Sequence, residues 1–275
     1  MSFINMIVNR LVDGLLWPFV QSNSVWTALA GASLVASILL LLAFRVCSDQ
    51  SAIRRKKKRI SGHLLELLLF QHDLILGLKS CGRILLANLS YLREYVAPLL
   101  CTAVPVTLLI VQLACWFESR PLLEGEPAVL EVTFADRSPP FQLPVGVSAD
   151  EMVIVETDSL RIPQLRQVNW RLRAAEPGRG EVGLQVAAEQ LSKSIVVGNG
   201  IAKLSTTRTQ PGLWNQLVHP VEAPLPSDSR VESIRVRYPP REFWCGPYRM
   251  NWLLPFVVLM ILFSLVLGRI CRVAI

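Results

Sequence analysis

The sequence predicts a membrane protein of mixed class: an α-helical three-span bundle with a cytoplasmic helical hairpin, joined to an extracytoplasmic all-β immunoglobulin-like sandwich. Three observations predict it. Of 275 residues, 52% are hydrophobic and only 18% charged, where a globular chain carries roughly 25% charged residues. The apolar excess is gathered into three windows long enough to cross a bilayer. Residues 118–249, by contrast, hold fourteen of the eighteen prolines, and their apolar positions recur every second residue.

A span needs about 20 apolar residues at a rise of roughly 1.5 Å each. The first window runs from Val25 to Phe44 without a charge and is closed by Arg45, giving a span over 25–45. The second, 95–117, lies between Glu94 and Glu118 and carries Pro98, Pro105 and Gln112. The third, 250–269, lies between Arg249 and Arg269. Prolines are tolerated in a span where neighbouring helices satisfy the freed carbonyls. Trp26, Trp116 and Trp252 all fall at one edge of these windows, as interfacial aromatics do.

Charge sets the orientation. The net charge is +7, and the stretch from Arg45 to Glu94 alone holds ten Lys/Arg against four Asp/Glu. Its six consecutive cations, Arg54, Arg55, Lys56, Lys57, Lys58 and Arg59, should stay in the cytoplasm. The tail at 270–275, flanked by Arg269 and containing Arg272, agrees. The N-terminus and residues 118–249 then face outward, with the C-terminus inside. The expected location is the cell inner (plasma) membrane, ahead of the endoplasmic reticulum. Since residues 118–249 balance fifteen cations against sixteen anions, a chain-wide basic face for nucleic acid is excluded, and DNA is not an expected partner.

Residues 1–24 lack the basic start of a signal peptide, and Arg10 and Asp13 interrupt the apolar run. Ser2, Asn5, Asn9 and Asp13 recur every three or four positions among Ile4, Ile7, Val8, Leu11, Leu15 and Leu16. This spacing predicts an amphipathic helix lying in the membrane interface, ended by Pro18. Residues 46–94 have the length of two helices joined near Gln71-His72-Asp73. Leu74, Leu78, Cys81, Leu85, Leu89 and Leu92 form one apolar stripe, and Ile53, Ile60, Leu64, Leu67 and Leu68 another. The six-cation run either attracts anionic headgroups or ribosomal RNA, or acts only as a topology determinant.

In the β-rich region Val168, Trp170, Leu172 and Ala174 alternate with polar residues, as do Val182, Leu184 and Val186. With the turn residues Glu176 to Gly180 between them, the two runs predict a hairpin, with Trp170 anchoring the core. Further strands are expected at Ala128–Phe134, Met152–Thr157, Lys193–Val197 and Glu232–Tyr238. Six to eight short strands punctuated by Pro and Gly read as the sandwich over 118–249.

Nothing in the sequence supports catalysis. His63, His72 and His219 stand at no metal-ligand spacing, and no nucleophile elbow, P-loop or zinc-protease motif is present. No cofactor is expected. Gly198-Asn199-Gly200 reads as a turn. The six cysteines form no framework, and Cys115 and Cys245 are expected as unpaired thiols. The remaining candidates are polar groups at membrane depth, where burial has a cost. Arg45, Gln112, Thr102 and Ser33 are candidates for a hydrophilic recess; for Gln112 the simpler role is one interhelical hydrogen bond, and for Arg45 an interfacial anchor.

The run Arg45-Val46-Cys47-Ser48-Asp49-Gln50, leading into Ile53, Arg54, Lys57 and Ile60, resembles the post-span sequence of three-span relatives in the YidC/Oxa/Alb membrane insertase superfamily. The branch is that of archaeal YidC-like and endoplasmic-reticulum insertase-subunit proteins, and the resemblance covers residues 1–117 and 250–275. Insertases of the bacterial type carry an arginine inside the first span, whereas Arg45 stands at its inner end. The resemblance implies a groove open to cytosol and lipid that accepts a polar segment of an incoming chain. The expected function is therefore an insertase-like or assembly factor. Its partners would be the lipid bilayer, nascent membrane proteins or the ribosome, and an envelope protein met by the β-domain. The alternative is a membrane-anchored adaptor subunit, or an accessory subunit of a transporter or secretion complex.

Overall fold

The computed structural model describes residues 3–21, 24–47, 96, 99–135 and 143–270. The basic run Arg54 to Arg59 and the hairpin expected around it lie outside the described residues. Five helices are described: α1 (Phe3–Val20), α2 (Val25–Cys47), α3 (Leu99–Phe117), α4 (Leu213–Val218) and α5 (Leu253–Ile270). Of these, α2, α3 and α5 are long and apolar enough to cross a membrane, with 23, 19 and 18 residues, or about 35, 29 and 27 Å of helix. The chain divides into two compact units. One comprises Met1–Ala32 and Leu109–Phe256, the other Ser33–Leu108 and Val257–Ile275.

Small side chains explain how α2 packs. Ala28, Ala32, Ser33, Ala36 and Ser37 are all buried, and residues of this size let helix backbones approach closely. Ser37 Oγ lies 2.7 Å from the Ser33 carbonyl of its own helix and 2.9 Å from that of Met260 in α5, so one hydroxyl proton serves both. At Gly31 a Cβ would come within 2.2 Å of the Phe19 ring; its absence lets α1 fold back against the start of α2. Contrary to expectation, Pro18 does not end α1. The helix runs to Val20, and Gln21 N–H still donates to the Trp17 carbonyl at 3.3 Å. The carbonyl that Pro18 leaves unpaired belongs to Gly14, which is exposed, so water or another polar group can reach it.

The β-domain contains β1 (Pro127–Phe134), β2 (Val145–Ala149), β3 (Val153–Val155), β4 (Leu160–Ile162), β5 (Gln167–Ala174), β6 (Gly178–Val186), β7 (Glu189–Val197), β8 (Thr207–Thr209) and β9 (Val231–Val236), followed by the small hairpin β10 (Phe243–Cys245) and β11 (Tyr248–Met250). One antiparallel sheet has the order β3-β5-β1-β9-β8, with β4 also on β5; a second has the order β2-β6-β7. Alternation puts Leu130, Val132, Trp170 and Leu172 of the first sheet into one core with Val182, Leu184, Ile195 and Val197 of the second. The two sheets therefore form a sandwich. Trp170 is 4% exposed, as expected of a core anchor.

The hairpin expected between β5 and β6 is not formed. Both strands have the predicted inward residues, but β5 pairs with β1, β3 and β4 while β6 pairs with β2 and β7. The turn at Glu176–Gly180 carries the chain from one sheet to the other. The tight hairpin is instead β6–β7, where Val186 faces Glu189 across Ala187 and Ala188. Ala187 takes a left-handed backbone (φ 51°), a conformation that usually selects Gly or Asn in such turns.

Cysteine pairing also differs from expectation. Cys47, at the end of α2, is disulfide-bonded to Cys101 of α3, with Cα atoms 6.6 Å apart. Cys115 and Cys245 are free thiols, as expected.

Candidate functional site

The four polar candidates of the helices have different surroundings. Arg45 is exposed in the last turn of α2. Ser33 is fully buried, and its carbonyl accepts from Ser37. Thr102 is buried, and its hydroxyl donates to the Leu99 carbonyl of its own helix at 3.1 Å. The Thr102 hydroxyl is thus satisfied within its own helix.

Gln112 is different. It is 2% exposed, and its side-chain carbonyl Oε1 is buried without a hydrogen-bond partner. One turn along the same face, Trp116 is also buried, and its indole N–H has no partner either. An acceptor and a donor thus stand at i and i+4 on one helix face, both desolvated and neither used. A buried amide or indole left unpaired costs about 1–3 kcal/mol. The expected single interhelical bond at this Oε1 is absent.

The end of α3 is fixed rigidly to the β-domain, which holds this pair in place. Leu204 N–H donates to the Cys115 carbonyl at 2.8 Å, Arg241 N–H to the Glu118 carbonyl at 2.9 Å, and Arg120 N–H to the Pro239 carbonyl at 3.0 Å. The tryptophans at the helix ends belong to the same joint. Trp252 stacks on Phe117 with centroids 6.3 Å apart and leans on Phe256 at 5.8 Å, while Trp26 meets the edge of Phe243 at 5.5 Å. Trp116 and Trp252 are buried in protein, so two of the three expected interfacial tryptophans pack inside the joint.

Beside this joint lies a cavity of about 140 Å³, lined by Cys115, Glu118, Ser119, Thr206, Val218 and His219 among others. Burial, then the charges of Arg235 and Lys193, hold His219 below its usual pKa. Among the described residues no group of three His, Cys, Asp or Glu is placed to hold a metal ion.

A second polar cluster sits deeper in the domain. Lys193 occupies an inward position of β7 and is fully buried. Its ammonium donates to the carbonyls of Ser205 (2.6 Å) and Ser194 (3.3 Å) and to Glu222 Oε1 (3.1 Å), with Glu222 Oε2 at 3.0 Å. Burial pushes its pKa down, and the Glu222 carboxylate opposes that shift. Glu222 Oε1 also accepts from Ser194 N–H at 2.9 Å and from the Ser194 hydroxyl. Leu191, Lys193, Ile195 and Val197 all point inward; the two-residue period is the signal that could have marked Lys193, which was not foreseen as a buried cation.

Part of the polar face of α1 is tied to the β-domain. Asn9 Nδ2 donates to the Pro220 carbonyl at 2.8 Å, and Lys203 Nζ donates to both Asp13 carboxylate oxygens (2.7 and 2.9 Å) and to Asn9 Oδ1 (3.1 Å). Two residues of the polar stripe, Asn9 and Asp13, are thus docked on the β-domain.

No family model and no curated protein matches the chain. Among solved structures, the crystal structure of S-layer protein SbsC domains 4 and 5 is similar over 29% of this chain and 47% of that one, at 16% identity and a TM-score of 0.24.

Proposed function

We propose that the protein is an insertase-like membrane-protein assembly factor, with α2, α3 and α5 crossing the membrane and the β-domain on its outer side as an immunoglobulin-like sandwich. The observation that carries this reading is the unpaired Gln112 Oε1 with the unpaired Trp116 N–H one turn away. In hydrocarbon an unmet donor and acceptor favour whatever brings complementary groups. The backbone of a polar segment entering the bilayer offers an acceptor and a donor at every residue. Once the packing over them opens, two vacant partners on one helix face would lower the cost of its passage. The cations Arg54 to Arg59 would receive the client at the inner surface, by attraction to headgroups or to the ribosome. The resemblance of residues 1–117 and 250–275 to YidC/Oxa/Alb insertases supports the same reading.

Depletion of the protein should slow membrane insertion of small single-span clients, and Gln112→Leu should reproduce much of the loss at normal protein abundance. Unchanged insertion in both cases, with no crosslink from residues 60–92 to nascent chains, removes the proposal. The orientation has its own test. With the N-terminus out, Cys47 and Cys101 lie at the cytoplasmic ends of their helices, where thiols are kept reduced. The proposed orientation therefore requires the Cys47–Cys101 bond to be reduced in the cell: thiol trapping in intact cells should find both cysteines alkylatable, and a disulfide surviving there would invert the topology.

A second reading, a membrane-anchored adaptor, is favoured by an open groove of about 410 Å³ on the β-domain, lined by Glu126, Val129, Arg171, Arg237 and Tyr238. Deleting residues 120–248 separates the two: an insertase retains some activity and an adaptor loses all of it.

A further inference from the structure

We infer that helix α4 and the outer face of α1 together form an apolar foot by which the β-domain rests in the headgroup region of the bilayer. Helix α4 was not foreseen in the sequence, and its six residues are unusual for a domain surface. Leu213 is 82% exposed, Trp214 78% and Val218 49%. With Leu217 they occupy one arc of the helix at 100° per residue, whereas Asn215 turns back and donates to the Gln210 carbonyl at 3.3 Å. From Thr209 to Val221 the sequence holds no Lys, Arg, Asp or Glu. A contiguous exposed apolar surface of this kind marks a contact site.

The occupant follows from what α4 is tied to. The hydrogen bond from Asn9 to Pro220, two residues past the end of α4, holds α1 alongside it, and the Lys203–Asp13 pair holds α1 one turn further on. With Asn9 and Asp13 facing the domain, the opposite face of α1 presents Leu11 and Leu15, both exposed. Helix α1 then passes into α2, the first membrane-crossing candidate, within five residues. The α4 surface is therefore fastened to an element that leads directly into a span. Leucine and tryptophan around a short uncharged helix are the side chains that partition to this depth. The inference rests on α2 crossing a bilayer and is independent of the insertase reading, so the two fail separately.

The test uses the full chain, labelled with 5-fluorotryptophan, in phosphatidylcholine/phosphatidylglycerol nanodiscs. The Trp214 fluorine resonance is assigned by its disappearance in Trp214→Phe. Lipid carrying a nitroxide near the headgroup should broaden it at least twofold more than an aqueous gadolinium chelate does. Broadening of Trp214 by the aqueous agent alone would place α4 in water and overturn the inference. Broadening by neither agent would mean that protein, such as a second copy of the chain, covers the surface, and overturns it equally.

Discussion

In the β-domain, Lys193 is sealed from solvent, yet its protons meet two backbone carbonyls and a carboxylate. In α3, Gln112 is nearly as buried, and its side-chain carbonyl meets nothing. The stronger desolvation penalty belongs to the cation, and the fold answers it in full; the weaker one belongs to the amide and is left standing. A buried charge without partners is incompatible with a stable domain, so the domain must supply them. A neutral amide in a helix is tolerable without a partner. One cluster is thus explained by stability, and the other is not.

Breaking the first cluster should give the largest effect. Glu222→Ala leaves Lys193 charged and unpaired, and should destabilise the β-domain by about 3–5 kcal/mol, read as a lower unfolding midpoint of the full chain in detergent. Replacing both as Lys193→Met with Glu222→Leu should recover most of that loss. A double variant no better than the single one would show that the pair is not the reason for the effect.

The contact between α1 and the domain is intermediate, being half exposed at Asp13. Lys203→Met should cost about 1 kcal/mol and raise hydrogen exchange along α1 while leaving the strands protected. Uniform exchange changes across the sandwich would contradict a local tether. Gln112→Leu should then do the opposite of Glu222→Ala, leaving stability unchanged or higher by up to about 1 kcal/mol while lowering client insertion. Loss of stability there would mean that the amide has a structural partner after all.

The smallest effect concerns pH. Because burial, Arg235 and Lys193 depress His219 below its ordinary value of 6.5, the unfolded chain takes up the proton more readily than the folded one. Stability from this group is complete above pH 6.5 and is lost as pH falls through the window below it. Partial exposure keeps the loss small. His219→Asn should flatten the fall in unfolding midpoint between pH 6.5 and 5, and an unchanged slope would assign it to other groups.

Much of this comparison could be read without coordinates. Uncharged runs of about twenty residues marked α2, α3 and α5, and alternation marked both the strands and Trp170. The same alternation hid the partner of each strand: an inward residue says which face is buried, not which neighbour it pairs with, and so β5 and β6 looked like a hairpin. The actual hairpin turns on Ala187 and Ala188, which carry no turn signature. Gln112 was conspicuous as an amide within an apolar run, but its lack of a partner depends on side chains that only the folded helices position. The Lys203–Asp13 contact joins residues 190 apart in sequence, and nothing local announces it.

The Cys47–Cys101 pair has a consequence for how this architecture varies. The 53 residues between the two cysteines start and finish at Cα atoms 6.6 Å apart. Lengthening a segment closed at such a narrow base adds closure entropy only logarithmically, about 0.6 kcal/mol for each doubling. The stretch can be enlarged, trimmed or exchanged as a cassette while the helices that carry it keep their spacing. Size differences between orthologues should accordingly gather between these two positions, and the joint at the opposite ends of the helices should keep its length.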